Sequence, residues 1–232
     1  MIKPEAARRP GGEQVIPRPS AWRRGDAAPW TVAQPLSADA VAQAVVDAAR
    51  DQNPSPPMFA DARRSAVLVV LVDGRDGAEV LLTKRSRDLR SHAGEISFPG
   101  GRLDLGETAV QAALREANEE VGLAPDVVDV RGYLSRMSTV VSRNYIVPVI
   151  ATLDSRPELT PHDREVERIL WVPLVELADV ATHREEWWGT PPLDRRMNFF
   201  DLDDETVWGA TGHMLYEMLT IAYGPPAIRT AL

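Results

Sequence analysis

The order of hydrophobic patterns along the chain predicts an α+β fold or a mixed α/β/α sandwich, preceded by an irregular arm and a helix. Several apolar or β-branched segments of strand length lie between residues 65 and 172. Helical patterns are few and do not alternate regularly with them, which argues against repeating βα units. At 232 residues the chain suits one domain of ordinary size with extensions and can bury a substantial core.

Residues 1–35 are rich in Pro, Gly, Ala and Arg without sustained periodicity. They read as an irregular arm, ordered only where Trp22 and Trp30 find an apolar surface. Residues 36–63 hold a helix and a linker. Ser37 can cap a helix through Arg50, with Val41, Val45 and Ala49 on one side, and Asn53-Pro54-Ser55-Pro56-Pro57 breaks it. The globular unit is expected over 64–232. Ser65–Val72 reads as a buried strand, Asp73–Gly77 as a turn and Ala78–Thr83 as the returning strand. Val127–Met137, Tyr145–Leu153 and Ile169–Val172 read as further strands, followed by a short helical segment at Val175–Val180. Trp187–Asp204, aromatic and proline-bearing, shows no clear period. Thr206–Tyr223 reads as a terminal helix, with Ala210, Met214, Met218 and Ile221 near one face.

Composition narrows the function. The net charge is −8, from 26 Lys+Arg against 34 Asp+Glu, which argues against general nucleic-acid binding. Cysteine is absent, so disulfides, zinc–thiolate sites and a cysteine nucleophile are excluded. The longest apolar run, Ala66–Val72, has the length of a strand and not of a membrane span, and a cytoplasmic protein is expected.

The chemistry concentrates between Phe98 and Leu123. Thr108–Val121 is helical in pattern, with Val110, Ala113, Leu114, Ala117 and Val121 on one stripe. Glu116, Glu119 and Glu120 share a neighbouring face at i, i+3 and i+4. Like charges at that spacing cost roughly 0.2–0.5 kcal/mol per pair. They also crowd the C-terminal end of the helix, where the macrodipole disfavours anions. Arg115 neutralises only part of this. A divalent cation such as Mg²⁺, which prefers hard oxygen ligands, resolves the conflict. A solvated acidic helix end closed by Gly122 is the bland alternative. Pro99-Gly100-Gly101 makes a turn whose backbone can approach a metal or phosphate closely.

Read from Gly101, the segment is G-x(5)-E-x(7)-R-E-U-x-E-E-x-G-U, with U aliphatic, and Gly101, Glu107, Arg115, Glu116, Glu119, Glu120, Gly122 and Leu123 fill the fixed slots. Only Ala117 is smaller than the usual occupant. This resembles the Nudix box, the signature of hydrolases that cleave a diphosphate linked to another moiety. The resemblance selects an α/β/α sandwich and implies Mg²⁺ or Mn²⁺ held by Glu116, Glu120, Glu119 and the Gly101 carbonyl. It gives Arg115, paired with Glu107, the role of orienting the carboxylates. The general base is left open between a box glutamate, Glu119, and a later acid, of which Glu165 is the first candidate and Glu158 and Asp163 are neighbours.

Just upstream, LLTKRSRDLRSHAGEISFPGG (Leu81–Gly101) resembles the motif of the coenzyme A diphosphatase branch of that family. Leu81, Leu82, Thr83, Arg85, Ser86, Arg90, Gly94, Phe98, Pro99, Gly100 and Gly101 match. The resemblance implies hydrolysis of CoA or its thioesters to 3′,5′-ADP and 4′-phosphopantetheine or its acyl form. Arg85 and Arg90 are the candidate phosphate ligands, since arginine forks bind phosphate oxygens bidentately. Lys84 and Arg87 occupy variable slots and fit local ion pairs, and His92 is a weaker phosphate candidate. A broader hydrolase of ADP-ribose or dinucleotides, and a catalytically silent binding module, are the alternatives. Family resemblance also raises a homodimer, to which Trp187-Trp188 could contribute.

Overall fold

The structure is a computed structural model and describes residues 9–31, 34–49, 55–89, 91–140 and 142–225. In chain order it contains β1 (Trp22–Arg24), α1 (Ala38–Ala49), β2 (Arg63–Gly74), β3 (Gly77–Arg85), β4 (Ile96–Ser97) and β5 (Gly100–Arg102). There follow α2 (Ala109–Val121), β6 (Asp129–Tyr133), β7 (Met137–Ser138), β8 (Asn144–Leu153), β9 (Val166–Pro173) and α3 (Leu174–Leu177). The chain closes with β10 (His183–Trp188), β11 (Arg195–Asp201), β12 (Thr206–Val207) and α4 (Gly209–Tyr223). Among the described residues, no helix is long and apolar enough to cross a membrane.

The long apolar run of β2 sits at the centre of the main sheet, parallel to β8 from Arg63↔Asn144 to Val72↔Leu153. Alternation sends its side chains to opposite faces. Leu68, Val70 and Val72 pack with Ala112, Ala113, Ala117 and Val121 of α2. Val69 and Leu71 pack in a second core with Val41 and Val45 of α1 and with Met214, Leu215 and Met218 of α4. Burial on both faces is why this strand reads as a continuous apolar run. The result is the expected α/β/α sandwich with a mixed sheet.

A second sheet, ordered β1-β10-β11-β12 and antiparallel throughout, lies beside the first. Trp187–Asp204, without a clear period in the sequence, supplies much of it. The predicted terminal helix starts later, at Gly209, because Thr206 and Val207 pair with Asp201 and Phe200. The predicted strand Val127–Met137 is broken into a 3-10 turn at Pro125–Val127 and two short strands. Its register against β8 shifts between Val130 and Gly132, where a Cβ would press on Val46 of α1.

The arm is not irregular throughout. β1 pairs with β10, setting Trp22 opposite Trp188, and Gly25 N–H donates to the Glu185 carbonyl at 2.8 Å. Trp22 is 45% exposed, but Trp30 is only 5% exposed. The Trp30 ring lies 5.0 Å from that of His183 and 5.4 Å from that of Tyr216, and its Nε1 donates to the Ala178 carbonyl at 3.0 Å. Trp188 packs on Phe199 and Trp208, and the guanidinium of Arg23 covers Trp187, so both tryptophans find partners within the chain.

Trp30 therefore belongs to the core although it lies in the arm. Trp30→Ala should destabilise the protein by about 3–5 kcal/mol, whereas Trp22→Ala should cost far less. Urea unfolding of the two variants measures the difference.

Candidate active site

The site exists because β2 changes partner. Leu71–Gly74 pair with β3, but Ser65–Val67 pair with β5, and the chain from Phe98 to Arg102 fills the opening. Leu68 N–H donates to the Pro99 carbonyl at 2.8 Å. Gly100 adopts φ +156° with Ala66 and Val67 directly behind it, where a Cβ would collide with backbone. Glycine is required there.

α2 lies across this turn. Thr108 and Gln111 close a capping box, and Gly122, in the left-handed region, ends the helix with an N–H bond to Asn118 at 2.9 Å. Fully buried Ala112, Ala113 and Ala117 let the helix approach the sheet. That approach presses Glu116 and Glu120 against the glycine turn. A Cβ on Gly101 would strike the Glu116 carboxylate, and Gly100 N–H donates to Glu120 Oε2 at 3.2 Å.

Glu120 is only 3% exposed. Burial pushes its carboxyl up to about 7, although Arg85 and the Gly100 N–H pull it down. Glu116 is also raised, first by burial, against the Arg115 hydrogen bond that lowers it. The charge of Glu165 pushes both upward. Glu165 is exposed, but its backbone is fixed: its carbonyl accepts Ser86 N–H at 2.8 Å, and its N–H donates to His162 O at 2.8 Å. His162 N–H in turn donates to the Glu120 carbonyl at 2.8 Å. Glu158 and Asp163 are exposed in the same segment.

Arg115 ties the site together. It grips Glu107 with two bonds of 2.9 and 3.0 Å and reaches Glu116 at 3.0 Å, Glu119 at 3.1 Å and the Arg102 carbonyl at 3.0 Å. The Glu107 bond is the main cause that raises the guanidinium further above its ordinary value, and it reciprocally lowers Glu107. Glu119 is thus turned toward Arg115 and is largely exposed. Among the described residues, no three acidic or histidine side chains form a ready-made cation cage. The donors that do converge are the Glu116 and Glu120 carboxylates with the Gly101 backbone against one of them. These are hard oxygens around a poorly compensated buried charge, and they fit Mg²⁺ or Mn²⁺.

The basic loop divides into two groups. Arg85 Nη1 lies 3.7 Å from Glu120 Oε1, and its buried Nε has no hydrogen-bond partner among the described residues. Lys84 pairs with Glu205 at 2.8 Å and Glu167 at 3.2 Å, and Arg87 with Glu167 at 3.7 Å. His92 pairs with Glu95 at 2.8 Å. Arg90 lies outside the described residues. Glu205, buried and bonded by Lys84 and Arg168, carried no signal in the sequence because its partners lie far away along the chain.

A sandwich that presents helix carboxylates to a glycine turn has the donor chemistry to hold a divalent cation. The NUDIX domain model matches residues 62–193, and the chain belongs to the Nudix family, whose enzymes act on diphosphate bonds. Nudix hydrolase 22 of Arabidopsis thaliana, a chloroplastic protein, is 38% identical over 71% of this chain and 57% of its own length. Nudix hydrolase 3 of Caenorhabditis elegans is 33% identical over 72% of this chain and 77% of its own. The Nudix hydrolase NudL of Photorhabdus laumondii is 31% identical over 71% of this chain and 88% of its own. The chain thus spans little more than half of the Arabidopsis relative.

The buried carboxyl makes a signed prediction. The folded-state value of Glu120, about 7, lies above its ordinary 4.5. The unfolded chain therefore releases this proton first, and the group reduces stability as pH rises from about 4.5 through about 7. In EDTA at pH 8, Glu120→Gln should melt at a higher temperature than wild type, by at most about 3 kcal/mol of stability. Saturating Mg²⁺ should reverse the ranking, because the ion stabilises only the intact site.

Proposed function

We propose that this chain hydrolyses the diphosphate of coenzyme A or its thioesters, giving 3′,5′-ADP and 4′-phosphopantetheine or its acyl form. One observation carries the reading: the segment Leu81–Gly101 matches the CoA-associated motif and places Arg85 beside Glu120, at the edge of the glycine turn. A cation site accepts the diphosphate of any Nudix substrate, so discrimination needs partners elsewhere. Arg85, with Arg90, supplies them by binding the phosphates that CoA carries besides its reacting bond.

Glu116, Glu120 and the Gly101 carbonyl would hold Mg²⁺ or Mn²⁺, with Glu119 as a third ligand or a bridge through water. When bound, the ion neutralises charge on the diphosphate oxygens and makes a water molecule more acidic. Arg115 keeps Glu116 and Glu119 in orientation. Glu165 accepts the proton of the attacking water, and Glu119 is the alternative base. The water oxygen bonds to one phosphorus, the bridging P–O bond breaks, and the second phosphate leaves with the electron pair. We place the enzyme in the cytoplasm, and family resemblance raises a homodimer.

The Arg85–Glu120 proximity also suits a purely structural ion pair. That favours a second reading, a broader hydrolase of ADP-ribose or dinucleotides. The full set of box glutamates argues against a silent binding module.

A Mg²⁺-supplied panel of CoA, acyl-CoA, 3′-dephospho-CoA and ADP-ribose separates the readings. CoA or its thioesters should be cleaved best, and Glu116→Gln and Glu120→Gln should each lose most turnover. Arg85→Ala should lower kcat/KM for CoA by about 10- to 150-fold. If Arg85 binds the 3′-phosphate, 3′-dephospho-CoA should lose far less. A wild-type enzyme that cleaves ADP-ribose and ignores CoA and acyl-CoA would defeat the assignment.

A further inference from the structure

Two side chains outside residues 62–193, the stretch matched by the family model, meet behind the basic loop. Gln14, from the N-terminal arm, donates from Nε2 to Glu205 Oε2 at 2.6 Å and reaches the Gly94 carbonyl at 3.4 Å. Its Oε1 accepts the Thr206 N–H at 3.2 Å, so both ends of the amide are engaged. Glu205 is 3% exposed and also receives Lys84 at 2.8 Å and Arg168 at 2.7 Å. The arm is held there by backbone as well: Gly11 N–H donates to the Leu202 carbonyl at 2.9 Å, and Gly12 N–H to Thr206 Oγ1 at 3.1 Å.

The Gly94 contact leads to the site in two bonds. Gly94 N–H donates to the Arg85 carbonyl at 3.1 Å, and Arg85 N–H donates to the Glu95 carbonyl at 2.9 Å. Arg85 then extends its guanidinium to 3.7 Å from Glu120. Gly94 sits at φ +71°, where, among the described residues, a Cβ would meet only Arg87 at 3.9 Å. The glycine is therefore required by backbone conformation and not by crowding. A chain of contacts thus runs from Gln14 through Gly94 to Arg85 and ends at the carboxylates.

We propose that the N-terminal arm is a specificity element of this enzyme: Gln14, anchored on Glu205, is a positioning residue that fixes the Gly94–Arg85 backbone so that the Arg85 guanidinium is preset for a substrate phosphate. The role rests on Arg85 contacting substrate, as proposed above, but not on that substrate being CoA. Gln14 touches neither the carboxylates nor the turn, so it acts on binding and leaves the chemical step alone. A loop that must find its geometry on binding carries an ordering cost that a preset loop avoids.

The test is a kinetic double-mutant cycle on the full chain with saturating Mg²⁺. Gln14→Ala should raise KM for CoA by about 2- to 10-fold, the range for one neutral hydrogen bond, with kcat within about twofold of wild type. Gln14→Glu, which keeps the shape and removes the donor, should raise KM at least as much. In an Arg85→Ala background, Gln14→Ala should add nothing, because the interaction it serves is already gone. An unchanged KM in Gln14→Ala, a wild-type KM in Gln14→Glu, or an equal loss in both backgrounds would overturn the proposal. If wild type ignores CoA, the substrate reading fails by itself, and the same cycle is read on the diphosphate that the enzyme does cleave.

Discussion

The Glu120 carboxylate is buried under the main sheet, and much of the local structure exists to hold it there. An anion removed from water must be paired, hydrogen-bonded or neutralised. Glu120 has one backbone N–H at 3.2 Å and one guanidinium at 3.7 Å, neither close enough to compensate it fully. The glycine doublet, the buried alanines of α2 and the partner change of β2 all serve to bring that helix end against the turn. Each would be hard to explain in a helix selected for stability. Together they maintain an electrostatic deficit that a divalent cation would remove.

The same logic explains how a chain of net charge −8 can act on an anionic substrate. Most of its cations near the site are committed to specific acids: Arg115 to Glu107, Glu116 and Glu119, Lys84 to Glu205 and Glu167, and Arg168 to Asp204 and Glu205. These pairs fix loops and leave little diffuse positive field. On the proposed reading, attraction of a diphosphate would depend on the cation and on Arg85, which are local. Such a site would select by geometry, since it lacks the strong diffuse field that concentrates any polyanion.

The parts legible in the sequence were those governed by local physics. β2 announced its two-sided burial, Thr108 and Gly122 bounded α2, and the glutamate spacing disclosed one acidic face. What escaped depends on distant pairing. β1 is a strand because β10 lies beside it, more than a hundred and fifty residues later, and three residues of Trp-Arg-Arg carry no period of their own. β10 and β11 mix aromatic and charged residues because much of their polar surface is buried in ion pairs such as Arg184–Asp201. Pro125 and the register shift near Gly132 divided a run that looks continuous by composition. Glu205 gave no sign at all, since its role is defined by Lys84, Arg168 and Gln14.

Distance is also the constraint on Arg85. A guanidinium packed tightly on Glu120 would neutralise the carboxylate that the cation needs, and the two cations would compete for one charge. A guanidinium that swung away would leave Glu120 less compensated. Side-chain rotamers of arginine permit both errors. The Gly94 and Glu95 bonds on either side of the Arg85 peptide and the Ser86–Glu165 bond after it fix where the side chain starts, and the Glu120 contact locates its end. The Ser86–Glu165 bond also sets the backbone of Glu165. One short stretch of chain thus fixes the start of the Arg85 side chain and the backbone of Glu165 relative to the same buried carboxylate, and the arm bears on it through Gln14.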